Sequence, residues 1–340
     1  GIIEARILAE FEKRTNKPVH ELFDMVVGTS TGGLIACGLT SNRQGFNRPF
    51  TAEELVEFFR TNSTKIFPWV IPFSQYIRRG PKYSEKVTKN GIEKLLKENF
   101  GDAKLSEAKK PLIVTAVDIA ESDIFFFKSH RINGKQYHDH YIRDVCRATS
   151  AAPTYFPPAF IYAINKPDYV EEPPCFALVD GGVAANNPVA VAYQEARKLF
   201  GKDAEIKIIS IGTGESGENR LQPYPKEPVE IAKRIKADND KARAAYNKAQ
   251  RRGLVRWISP MFGLMFDGQS TKDDYLVRNL ENISKITANY SRLQVYFGNI
   301  DIEMDNASKI PEIEKFVEDY LNQGGSQKID DLIAECGWKK

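Results

Sequence analysis

The sequence predicts an α/β protein: a mainly parallel central sheet with helices on both faces, followed by a C-terminal helical extension. Three observations predict it. Short apolar, β-branched runs alternate with stretches of helical spacing, the signature of βα units. Two of the apolar runs end in glycine-bearing turns that carry a reactive side chain, Gly28-Thr29-Ser30-Thr31-Gly32 and Asp180-Gly181-Gly182. Open α/β sheets place their sites at such strand ends. The residues after about position 220 read mostly as charged helix, with fewer strand signals.

The bulk properties fit one core-forming unit. The chain has 340 residues, 42% of them hydrophobic and 27% charged, which is ordinary globular composition. We read a single domain, with a catalytic core over 1–220 and a cap and helical extension over 221–340. A net charge of +3 is too small to argue for a nucleic-acid polymer as partner. Cys37, Cys146, Cys175 and Cys336 lie far apart, without the C-x-x-C spacing of metal or redox sites, which fits a reducing, cytoplasmic setting. No apolar run reaches membrane-spanning length. No cofactor or metal is expected.

In chain order, Ile3, Ile7, Leu8 and Phe11 share one face of a helix over Ile2–Thr15, which ends before Pro18. A helix feeding a parallel strand normally follows another strand, so a strand and its loop are expected upstream of Gly1. Leu22–Val27 reads as a buried strand and Gly33–Cys37 as the start of a helix. Thr51 and Glu54 form a capping-box start for the next helix. Ser84–Phe100 reads as a helix broken near Asn90-Gly91, Pro111–Asp118 and Ile124–Lys128 as paired strands, and Tyr141–Ser150 as a short helix. Phe176–Val179 is a strand, Pro188 opens a helix to Phe200, and Ile206–Ile211 is the next strand. Lys226–Arg252 and Lys272–Ile283 read as helical, Leu293–Phe297 as a strand, and Ser308–Asn322 and Ile329–Cys336 as terminal helices.

Strand, sharp turn, helix with Ser30 at the apex is the G-x-S-x-G nucleophile-elbow pattern. Side chains at Gly28 and Gly32 are expected to clash in such a turn, and Gly33 opens the helix behind it. A serine needs a base. The histidines are His20, His130, His138 and His140. None follows Asp180, so the chain order Ser, Asp, His is closed to that aspartate, while Asp118 or Asp123 with His130, His138 or His140 stays open. Asp180, at the end of an apolar strand beside Gly181 and Gly182, is the stronger candidate base, although Asp-Gly is also a common turn.

Several motifs in order make the likeness specific. The G-x-S-x-G at Gly28–Gly32, the D-G-G at Asp180–Gly182, Asn186-Asn187-Pro188 after it, and the run Ala148–Pro158 together resemble bacterial patatin-like phospholipases over about Gly1–Gly214. The resemblance implies a three-layer patatin-like fold and a lipid acyl hydrolase, a phospholipase A type of serine esterase. It implies a catalytic dyad of Ser30 and Asp180 that works without histidine. It also implies an oxyanion loop, D-G-G-G-x-R-G, ahead of the first helix; only its last glycine has a counterpart, Gly1. A chain lacking that loop is expected to be nearly inactive. Some similar proteins are cyclic-nucleotide-activated effectors of anti-phage defence, which suggests a cyclic nucleotide at the basic stretch Lys226–Arg256. A non-catalytic binding protein on the same fold is the third reading. Membrane phospholipid is the expected substrate, met by peripheral association, and an oligomer is compatible with the resemblance. Phe67, Trp69, Phe73, Trp257 and Phe262, with Met261 and Phe266, are candidates for lipid contact or for plain core packing.

Overall fold

The structure is a computed structural model that describes residues 1–68, 81–131, 138–166, 168, 170–215, 227–233, 236–237, 239–240, 243, 264–265, 268–277, 288–298, 300 and 306–338. It opens with α1 (Ile2–Thr15), whose apolar stripe buries Ile3, Ile7 and Phe11, and ends at Asn16 in the left-handed region. A single turn, α2 (Val19–Leu22), then leads to β1 (Val26–Thr29) and α3 (Thr31–Thr40). Strand β1 therefore starts four residues later than the apolar run suggests, because Leu22 closes a helical turn instead. Helix α4 (Ala52–Ile66) begins on the expected capping box: the Thr51 hydroxyl accepts from the Glu54 N–H, and the Glu54 carboxylate accepts from the Thr51 N–H.

The expected break near Asn90-Gly91 is a π-turn, Lys89–Glu93, between α5 (Glu85–Thr88) and α6 (Lys94–Phe100). Gly91 sits there because the backbone of α4 passes overhead; a Cβ would lie 2.5 Å from the Lys65 carbonyl oxygen. The chain continues through β2 (Leu112–Asp118), β3 (Asp123–Lys128), α7 (Ile142–Thr149), β4 (Ala159–Tyr162), β5 (Cys175–Asp180), α8 (Gly182–Ala185), α9 (Val189–Phe200), β6 (Ile206–Ile211) and β7 (Ala288–Leu293). Helices Ile310–Tyr320 and Ser326–Glu335 follow. Their Val317, Ile329, Leu332 and Ile333 join the same hydrophobic core as α1, and Trp338 packs edge-on against Phe11 and Phe23.

The α/β class and its helical extension hold. The expectation of a mainly parallel sheet needs correction. Strands run in the order β1-β2-β5-β4, with β3 on the far edge of β2. Only β1–β2 is parallel in this sheet; β2–β3, β2–β5 and β4–β5 are antiparallel. The hairpin between β2 and β3, too short for a crossover helix, forces the reversal there. Strands β6 and β7 form a separate parallel pair. The reversal at β5 decides the site. Strand β1 pairs with Leu112–Thr115 of β2, while β5 pairs with Ala116–Asp118 along the same edge. The two strands thus converge end to end, Thr29 opposite Thr115 and Asp180 opposite Ala116.

Removing one capping acceptor should cost what such caps contribute elsewhere. Thr51→Ala is expected to lower unfolding stability by about 1 kcal/mol, read from the shift in urea midpoint at constant slope.

Candidate active site

Ser30 stands between β1 and α3 with φ 54° and ψ −126°, a left-handed conformation that a serine adopts only when its surroundings impose it. The surroundings are close. A Cβ on Gly28 would lie 2.3 Å from the Gly32 carbonyl oxygen, so the turn closes only over glycine there. The same steric reason does not hold at Gly32, where an added Cβ meets nothing within 4 Å among the described residues. Its Cα faces the open cavity instead of the chain. Gly33 is constrained from the other side, since a Cβ would lie 2.7 Å from Thr149 Cγ2.

The Ser30 hydroxyl donates to Asp180 Oδ2 at 2.6 Å, the length of a hydrogen bond to a charged acceptor. Asp180 is 1% exposed. Its other oxygen, Oδ1, accepts the Gly182 N–H at 2.7 Å, and its own N–H donates to the Ala151 carbonyl. Burial pushes the carboxyl up from 3.8 to about 7, against smaller downward pulls from the Ser30 hydroxyl and the Gly182 N–H. A carboxylate so placed is far more basic than an ordinary one and touches the proton it would have to take. Gly181 allows this approach: a Cβ would lie 2.2 Å from Thr115 Oγ1 and 2.4 Å from the Thr115 carbonyl.

Threonines brace the pair. The Thr29 hydroxyl donates to the Ala185 carbonyl and shares a 2.7 Å contact with the Thr115 hydroxyl, tying the strand before Ser30 to the helix after Asp180. The Thr149 hydroxyl accepts the Ser30 N–H at 2.8 Å. These three residues escaped the sequence reading. The run after Ala148 was visible as a motif, but nothing in it pointed to Ser30. The Ser30 carbonyl accepts from the Gly33 and Leu34 N–H groups. The N–H groups of Thr31 and Gly32, at the first turn of α3, precede any intrahelical acceptor and favour negative charge beside the serine.

Both Ser30 and Asp180 line a cavity of about 1260 Å³, together with Gly182, Phe59, Ile66 and Phe67. Phe67 is half-buried and stacks near Tyr83 and Phe156, so it serves the core and the cavity wall at once. Trp69, Phe73, Trp257, Met261, Phe262 and Phe266 lie outside the described residues, as does most of Lys226–Arg256. Gly1 also lines the cavity; a Cβ on it would lie 2.5 Å from Thr31 Cγ2, which puts the start of α1 beside the elbow. None of the four histidines lines it. His140 is buried among Phe125, Phe127 and Phe176, facing the Tyr162 carbonyl, and burial lowers it to about 4. His130 faces Glu195. The Asp118 side chain accepts from the Ala120 N–H. A triad through these residues is therefore not what the structure assembles. No cluster of three or more metal-ligating side chains occurs, and no helix is long and apolar enough to cross a membrane, among the described residues.

An elbow serine bonded directly to a strand-end carboxyl, on an α/β sheet, defines the class: a hydrolase-like fold with a two-residue polar pair at its strand ends. The chain belongs to the patatin-like phospholipase family, whose model matches residues 1–193. It is similar to Patatin-like protein 2 of rice (Oryza sativa), 34% identical over 250 residues that cover 65% of this chain and 60% of the rice protein. It is also similar to two potato (Solanum tuberosum) proteins. Patatin group D-3 is 29% identical, with 91% of this chain and 77% of that protein covered. Probable inactive patatin-3-Kuras 1 is 28% identical, with 86% and 75% covered. The chain thus spans about three-fifths of the length of the rice relative.

Burying Asp180 has a stability cost with a definite sign. Between its ordinary pKa and about 7 the folded protein holds a proton that the unfolded chain has released, so stability falls as pH rises through that window. Asp180→Asn removes the burden. It should be more stable than the parent above pH 7, by up to ~4 kcal/mol, and the gain should vanish near pH 4, as followed by denaturant unfolding across pH.

Proposed function

We propose that the protein is a lipid acyl hydrolase that cleaves fatty-acyl esters through a Ser30 acyl-enzyme, with Asp180 as the general base. The observation that carries this reading is the 2.6 Å bond from the Ser30 hydroxyl to a buried carboxyl raised to about 7. Ser30 Oγ attacks the ester carbonyl carbon, and its proton passes to Asp180 Oδ2. The bond to the leaving alcohol breaks as Asp180 returns that proton to the departing oxygen. Water then attacks the serine ester, Asp180 takes its proton, and the fatty acid leaves as Ser30 regains a hydrogen. Both chemical steps use one carboxyl as base and then acid. The apolar walls at Phe59, Ile66 and Phe67 suit an acyl chain, and the burial of Asp180 keeps it basic. The direct contact between Ser30 and Asp180 also favours a catalyst over a binding protein on the same fold.

We further propose that an extended segment preceding α1 completes the site. Support comes from two open strand edges. Strand β1 pairs only with β2, and β6 only with β7, among the described residues, yet residues of both line the cavity that holds Ser30. A strand lying parallel to β1 in that space would reach the Ser30 end of the sheet and pass directly to Gly1 at the start of α1. Its terminal N–H groups would supply further donors for an oxyanion, each elsewhere contributing about 10²–10³ in turnover.

In protein that carries the segment proposed to precede α1, Ser30→Ala should lower hydrolysis of a fluorogenic phospholipid by about 10³-fold or more while the protein stays folded; full activity in that variant would refute the mechanism. kcat/KM should rise about tenfold per pH unit up to about pH 7 and then level off, since the base must be unprotonated. Trp69→Ala with Trp257→Ala should weaken sedimentation with phospholipid vesicles if those side chains meet lipid; unchanged binding would make them core residues.

A further inference from the structure

We propose that Thr149 is a positioning residue for the reaction, and that the end of α7 acts as a gauge fixing the separation of Ser30 and Asp180. The inference rests on the reading of Ser30 as nucleophile.

Two residues of one three-residue span, Thr149 and Ala151, each hold one half of the pair. The Thr149 hydroxyl accepts the Ser30 N–H at 2.8 Å, and two residues later the Ala151 carbonyl accepts the Asp180 N–H at 3.1 Å. No other short segment among the described residues bonds to the backbones of both. The span between the two acceptors is set by covalent geometry and by the turn that ends α7, where Ser150 and Ala151 donate back to Cys146 and Ala148. It cannot stretch as two independent loops could. The turn is itself held. Thr149 and Ala151 are fully buried, and the nearly buried Arg147 bonds to Glu93 and to the Pro157 carbonyl, which fastens α7 on both flanks.

Thr149 is suited to this place by both of its γ substituents. Its hydroxyl fixes the N–H of a residue whose φ of 54° no ordinary preference would maintain. Its methyl lies against Gly33, leaving no room for a Cβ there. Valine would keep the second contact and lose the first; serine would keep the first and lose the second. One further consequence follows for the chemistry. With its N–H committed to Thr149, Ser30 does not offer its own amide to the oxyanion, so donors must come from Thr31, Gly32 or the segment proposed to precede α1.

The pair of substitutions separates positioning from packing. Thr149→Val should lower kcat for an acyl ester by ~10²-fold, the effect of a misplacement of about 1 Å, with KM roughly unchanged. It should slow labelling of Ser30 by a fluorophosphonate to a similar degree. Thr149→Ser should recover most of the labelling rate. Hydrogen exchange at the Ser30 amide should be fast in the valine variant and slow in the serine variant. A folded valine variant with parental kcat and a protected Ser30 amide would overturn the proposal. So would a serine variant as slow as the valine one, which would make the methyl contact the whole effect. If the valine variant does not fold, the comparison of Thr149→Ser with Thr149→Ala decides on the same readouts. Failure of the underlying reading looks different: the parent would not label at Ser30, or Ser30→Ala would still hydrolyse the ester, while the exchange of the Ser30 amide would still report on Thr149.

Discussion

The head-to-head meeting of β1 and β5 along one edge of β2 is the constraint on which the rest depends. Strand β2 offers a single continuous edge, and two strands from opposite directions divide it between Thr115 and Ala116. Whatever ends β1 and whatever ends β5 must then lie side by side. The sequence separation of 150 residues between Ser30 and Asp180 is bridged by backbone ladders, not by side-chain reach. Glycine at 181 follows from that crowding, because it abuts the backbone of Thr115 in β2, while Gly28 answers to the closure of the elbow over Gly32. The Thr29–Thr115–Ala185 contacts then close the junction with hydroxyls, where open backbone groups would otherwise be buried.

The site's electrostatics follow from the same packing. A carboxyl at the end of a strand on an exposed sheet edge would be an ordinary acid. Here β2, α8 and the residues after α7 enclose Asp180, and only two hydrogen bonds compensate its charge. Desolvation therefore outweighs them, and the group becomes far more basic than an ordinary carboxylate. Nothing comparable happens to the histidines. His140 is buried so well that it stays neutral, with its ring committed to Phe127 and Phe176. The contrast between this aspartate and His140 is thus an outcome of burial and partner, not of intrinsic pKa.

Much of this was legible in the sequence, and the failures have physical causes. Helix α1, strand β6 and the break at Asn90-Gly91 carry their signals locally, as apolar period, β-branching and glycine. Ser30 and Asp180 were legible because each ends an apolar run in glycine. Strand β4 was not: Ala159–Tyr162 directly follows Pro157-Pro158 and is too short to carry a strand signal of its own, and only pairing with β5 makes it a strand. Strand β7 lies several residues before the apolar run that suggested it, since its register is set by β6. The antiparallel course of β5, the open space at Gly32 and the contacts of Thr149 are tertiary facts. No local pattern encodes which edge of β2 a later strand will take.

A single buried carboxyl, if it works without a relay as proposed, also shapes how such a protein drifts over generations. Active sites in general are kept for function at some cost in stability. On the mechanism proposed above, that tension is concentrated at Asp180, because the carboxyl that would act as base is also a burden on the folded state at neutral pH. On that reading, mutation toward a silent, sturdier version runs downhill, and only use of the proposed activity would hold the aspartate in place. Lineages with this architecture should therefore shed catalysis readily while keeping their scaffold intact.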